Sequence, residues 1–113
     1  MDFAVSQENG TAVVTTNVER LNAANAPDLK AELLHLNKSS VNNVVIDMSA
    51  TRYCDSSGLS AILIANRLCK DTNGQFILCG LQSNVQKLIE IAQLDKVLTI
   101  TASTEEALGL IAS

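Results

Sequence analysis

Val44-Val45-Ile46, followed by Asp47-Met48, is a continuous apolar run rich in β-branched residues. A strand that is apolar at consecutive positions must be covered on both faces, which is the situation of a central strand in a parallel sheet flanked by helices. The flanking patterns agree. Asn9-Gly10 is a two-residue turn signal between Phe3–Ser6 and the Thr/Val-rich stretch Thr11–Val18, which predicts a β-hairpin. Pro27, after a candidate cap at Asn25, starts a helix reaching about Asn37, with Leu29, Leu33, Leu34 and Leu36 at near-helical spacing.

Beyond the central run, a helix is predicted from about Ser57 to Asp71, with Leu59, Ile62, Leu63, Leu68 and Cys69 facing inward, and Asn73-Gly74 ends it. Gln75–Cys79 reads as another apolar strand. Asn84–Ala92 reads as a helix carrying Val85, Leu88, Ile89 and Ile91, and Val97–Ile100 as a last short strand. Ser103-Thr104-Glu105-Glu106 starts a terminal helix continued by Ala107, Leu108 and Ile111, its acidic groups at the positive end of the dipole. The predicted order is β-β-α-β-α-β-α-β-α, an α/β fold whose mixed sheet is mostly parallel, in a single domain over residues 1–113.

Composition narrows the function. With 8 Lys and Arg against 12 Asp and Glu, the net charge is −4 and no basic cluster exists, so nucleic acid and anionic membrane surfaces are both poor candidates as partners. No apolar stretch approaches the length of a membrane span, and no signal peptide pattern opens the chain; a soluble cytoplasmic protein is expected. Cys54, Cys69 and Cys79 have no C-x-x-C spacing and His35 is the only histidine, so neither a metal site nor a disulfide framework is expected, and the thiols read as buried. No G-x-G-x-x-G or Walker-type loop is present, and no cofactor or catalytic constellation emerges.

One run stands out by position. Asp55-Ser56-Ser57-Gly58 falls between a buried strand and a helix, at the rim where open α/β sheets carry functional loops. Asp or Ser there can cap the exposed backbone N–H groups, and Gly58 lets another chain approach the backbone. Ser56 would present its hydroxyl at a helix N-terminus, where a phosphate adds about −1.5 to −2 charge beside partly positive N–H groups. A cap and tight turn with no further role would account for the same local residues. By helical spacing, Ser57, Ser60, Ile64 and Arg67 should form an outward stripe suited to docking, and the same spacing is equally met if Ile64 packs beneath the neighbouring helix.

Several segments in register resemble the STAS domain family, typified by bacterial anti-sigma factor antagonists. They are Val45-Ile46-Asp47-Met48, the Asp55-Ser56-Ser57-Gly58-Leu59 motif with its helix, Asn73–Cys79, Val85–Glu90, Leu94–Leu98 and Glu105–Leu108. The resemblance implies that Ser56 is a phosphoacceptor for an ATP-dependent serine kinase that is itself an anti-sigma factor. It further implies that the unphosphorylated form binds this kinase, that a PP2C-type phosphatase restores it, and that the domain is no enzyme. Val18-Glu19-Arg20-Leu21-Asn22 stands where antagonists carry a Gly-Glu-Leu-Asp-like turn, so Asn22 replaces the usual acidic residue at the phosphorylation rim. A constitutive STAS subunit of a lipid-transport ATPase complex is the alternative the same resemblance allows.

Overall fold

The computed structural model describes residues 2–112. Its elements are β1 (Phe3–Glu8), β2 (Thr11–Thr16), β3 (Arg20–Leu21), α1 (Ala26–Lys38), β4 (Asn43–Asp47), β5 (Tyr53–Cys54), α2 (Ser56–Asp71), β6 (Phe76–Cys79), α3 (Ser83–Ile91), β7 (Thr99–Thr101) and α4 (Thr104–Ala112), with a 3-10 turn at Leu94–Lys96. Five strands form one sheet in the order β1-β2-β4-β6-β7, in which only β1 and β2 pair antiparallel.

The hairpin turns as its sequence dictates. Glu8 pairs with Thr11 across a two-residue loop in which Asn9 and Gly10 have φ of 53° and 79°. Both values are positive, the requirement that makes Asn-Gly the favoured pair at this turn.

Alternation along the central strands builds two layers of core. Val44 and Ile46 of β4, Phe76 and Leu78 of β6, and Ala12 and Val14 of β2 join the larger cluster, with Leu29, Leu33 and Leu36 of α1, Ile62 and Ala65 of α2, and Val85 and Ile89 of α3. Val45, Ile77 and Cys79 point the other way, onto Ala107 of α4. The double coverage explains why both Val44 and Val45 are apolar, since each neighbour in the strand meets a different helical layer. Ser103 and Glu106 set the start of α4: the Ser103 Oγ accepts the Glu106 N–H at 3.2 Å, and a Glu106 carboxylate oxygen accepts the Ala102 N–H at 3.4 Å.

The structure corrects the sequence reading at several points. Leu34 is exposed, because Leu29, Leu33 and Leu36 already span the stripe α1 can bury. Leu63 also faces outward, and Gly58, Ala61, Ile62, Ala65, Asn66 and Cys69 form the buried face of α2, a face of small residues that brings the helix close to the sheet. The second strand stops at Thr16, two residues short of Val18, and the last strand begins at Thr99 after the 3-10 turn, leaving Val97 outside it. Two strands of two residues each, β3 and β5, have no counterpart in the sequence pattern.

Candidate functional site

β3 and β5 pair parallel, Arg20 with Tyr53 and Leu21 with Cys54, as a separate small sheet. The loop that carries β5 is fastened from below. The Thr51 hydroxyl donates to the Val18 carbonyl at 2.8 Å and lies 2.7 Å from the Thr16 hydroxyl, while the Arg52 and Tyr53 N–H groups both donate to the Glu19 carbonyl. Thr16 and Thr51 are fully buried, so their hydroxyl pair is shielded from water, and together with the other bonds it holds the segment leading to α2 in one place.

Asp55 then caps α2. Its backbone is extended (φ −106°, ψ −170°), and one carboxylate oxygen, Oδ1, accepts the Ser57 N–H at 2.9 Å and the Gly58 N–H at 3.1 Å. This satisfies two of the four donors a helix leaves unpaired at its start, and places negative charge at the positive end of the dipole. Ser56 is the first residue of α2 and is exposed. Its hydroxyl is therefore presented at the rim on a fixed backbone.

Gly58 has a different role from the one its sequence context suggested. It is buried, and a Cβ built on it would lie 2.5 Å from Cys54 Sγ, 2.9 Å from Leu21 Cγ and 3.0 Å from the Leu21 carbonyl oxygen. The backbone that approaches it is this chain's own β3–β5 pair, not that of a partner. Asp55 completes the junction by donating its N–H to the Leu21 carbonyl at 3.1 Å.

Asn22 follows β3 and organises the turn into α1. Its side-chain oxygen accepts the Ala24 N–H at 3.0 Å, its own N–H donates to Asn25 Oδ1 at 2.9 Å, and its carbonyl receives the Ala26 N–H at 2.8 Å. Asn25 stands at the N-cap position of α1, yet its side chain bonds Asn22 and the Arg20 carbonyl, not the helix N–H groups. A cavity of about 360 Å³ brings Asn22 together with Arg20, Leu21, Tyr53, Cys54 and Asp55.

On the flank of α2 lies a larger groove of about 540 Å³, lined by Ser56, Leu59, Ser60, Leu63, Ile64, Asn66 and Arg67. Of the stripe expected from the sequence, Ser60, Ile64 and Arg67 are in it; Ser57 is half-buried and lies outside the lining. Leu59, Leu63 and Asn66 were missed. Spacing from Ser56, not Ser57, would have found Leu63, because positions 56, 60, 63 and 67 recur every three or four residues on one face.

The cysteines carry no reactive signature. Burial and the neighbouring Asp55 charge push the Cys54 thiol up to about 11, and burial pushes Cys69 to about 11 and raises Cys79. All three are unbridged; Cys54 is half-buried, the others buried. His35 is exposed on α1, away from the rim. Among the described residues no helix is long and apolar enough to cross a membrane.

A small β3–β5 clamp, a capped helix bearing an exposed Ser56 and a groove beside it, set on a mostly parallel five-stranded sheet, are the architecture of a STAS-type α/β domain. The STAS domain model matches residues 3–107, and the chain belongs to that family. It is an anti-sigma factor antagonist-like STAS protein. It is 30% identical over 87 residues to BtrV of Bordetella bronchiseptica, named an anti-sigma factor antagonist, across 77% of this chain and 75% of that one. A Thermotoga maritima protein named in the same way superposes with a TM-score of 0.93 at 20% identity, covering 98% of this chain and 95% of that one. The fold is shared with SpoIIAA, an anti-sigma factor antagonist, in its unphosphorylated form (TM-score 0.85, 20% identity, 97% of this chain and 96% of that one). The Bacillus cell fate determinant SpoIIAA in the phosphorylated form is also similar (TM-score 0.77, 19% identity, 96% and 98%).

Proposed function

We propose that the chain is a phosphorylation-controlled docking module: it binds a serine kinase that acts as an anti-sigma factor, and is released when that kinase phosphorylates Ser56. The observation that carries this reading is the place of Ser56, exposed at the first position of α2 and lining the same groove as Ser60, Ile64 and Arg67. A partner that fills the groove covers the hydroxyl. A phosphate there adds about −1.5 to −2 charge at the groove's mouth, beside the Asp55 carboxylate. Because Asp55 already holds the Ser57 and Gly58 N–H groups, the new charge does not inherit those donors. Repulsion and bulk then fall on the docked partner, while α2 keeps its cap. A PP2C-type phosphatase resets the module.

Asp55, Ser57 and Gly58 support this surface from within, by capping and close packing; Ser60, Ile64 and Arg67 meet the partner, with Asn22 at the neighbouring turn. The test is the binding of Ser56→Ala and Ser56→Asp to a cognate serine kinase of the anti-sigma factor type, with phosphate mapped by mass spectrometry. Ser56→Ala should bind as wild type and resist phosphorylation, and Ser56→Asp should bind weakly. Equal binding by both variants, with no phosphate on Ser56, contradicts the reading; co-purification with a transporter ATPase regardless of Ser56 points instead to a constitutive subunit.

A further inference from the structure

Two of the chain's three arginines converge on its single tyrosine. The Arg20 guanidinium lies 4.5 Å from the centre of the Tyr53 ring and that of Arg52 lies 6.0 Å away, both within cation–π range. The Arg20–Tyr53 contact is a direct cross-strand pair of the β3–β5 sheet, so the clamp itself fixes it. We infer that this cluster is a second docking point, which receives a carboxylate from an acidic segment of the protein partner.

Stacking on the ring occupies the face of a guanidinium and leaves the N–H donors at its edge free. Among the described residues neither Arg20 nor Arg52 has a carboxylate partner. A planar fork of donors is best matched by a carboxylate that accepts two N–H bonds side by side. The surrounding charges favour a single negative charge over a dianion. Glu19 and Asp55 are exposed nearby, and Asp55 lines the cavity that Arg20, Asn22 and Tyr53 share. A phosphate would meet more repulsion from Asp55 than a carboxylate does. The cavity adjoins Asp55, one residue from Ser56, so one partner can span both surfaces. The inference rests on the docking reading above, and adds that the partner's matching surface is acidic.

Tyr53 supplies the readout, because with no tryptophan and no other tyrosine the intrinsic emission of the protein comes from this ring. The probe is a capped peptide of alternating Ala and Glu, with its Ala/Gln counterpart as control. Tyr53 emission should change on titration with the Glu peptide and not with the Gln peptide. Half-saturation should weaken by about fivefold in Arg20→Gln, the upper end for an exposed ion pair, and raised salt should weaken it further. Arg52→Gln gives a second variant should Arg20→Gln fail to fold. The inference is overturned if emission does not respond to the Glu peptide, if both arginine variants respond as wild type does, or if inorganic phosphate displaces the peptide at lower concentration than acetate. Ser56 takes no part in this titration, so a failure here is distinguishable from a failure of the phosphorylation reading.

Discussion

Asp55 and Gly58 are joined by a hydrogen bond of 3.1 Å from the Gly58 N–H to the Asp55 carboxylate, and the same glycine lies against Leu21 and Cys54 of the β3–β5 clamp. Ser56 sits between these two fixed points. Its position depends on the cap on one side and on the absence of a side chain at Gly58 on the other.

Removing the cap should cost stability. Asp55→Ala is expected to destabilise the fold by about 1 kcal/mol, within the range for a lost N-cap, whereas Asp55→Asn keeps an acceptor and should lose less. Urea unfolding of the three proteins gives the comparison, and an alanine variant as stable as wild type would contradict the cap's role.

At Gly58 the sign is set by crowding against helix propensity. Alanine gains up to about 1 kcal/mol of propensity, but its Cβ would stand 2.5 Å from Cys54 Sγ and 3.0 Å from the Leu21 carbonyl. Overpacking of this kind costs about 1–3 kcal/mol, so Gly58→Ala should be net destabilising. Adding Cys54→Ala should recover part of the loss, a coupling that a double-mutant cycle measures.

The thiols predict an alkaline weakening. Cys54 and Cys69 are pushed from 9.0 in the ordinary thiol to about 11 in the fold, chiefly by burial. The neutral thiol is the form the fold favours, so their contribution is complete below pH 9 and is lost as pH rises through about 11. The urea midpoint should fall across that window, and fall less in Cys54→Ala/Cys69→Ala relative to its own value at pH 8. For the same reason Cys54 should react slowly with iodoacetamide near neutral pH.

Two neighbours on α2 should separate core from surface. Ile62 is fully buried and Leu63 is 37% exposed in the groove. Ile62→Ala should cost about 2–5 kcal/mol, while Leu63→Ala should cost far less and weaken partner binding instead. Thermal unfolding and a binding titration on the same pair decide whether the helix has this phase.

The sequence reading reached the sheet and its helices because β4 announces itself: Val44, Val45 and Ile46 can only be a strand covered twice. Asp55 was legible as a cap for the same local reason. What escaped was tertiary in origin. β3 and β5 are two residues each, too short for any periodicity, and exist because Thr51 and the Glu19 carbonyl hold them together. Leucine is ordinarily core, so the sequence alone points Leu63 inward, whereas in the fold small Ala61 and Ala65 take buried positions on α2. Gly58 looked like an opening for a partner, since nothing in its own neighbourhood of sequence reveals that Leu21, far back in the chain, fills the space.

The central claim is that phosphate on Ser56 controls docking, and it is tested most directly by measuring the affinity of a cognate anti-sigma factor kinase for this chain before and after phosphorylation at Ser56 alone. A loss of at least about tenfold, equivalent to about 1.4 kcal/mol, with the fold intact and affinity restored by a PP2C-type phosphatase, is the predicted result. An affinity unchanged by stoichiometric phosphate on Ser56 would contradict it.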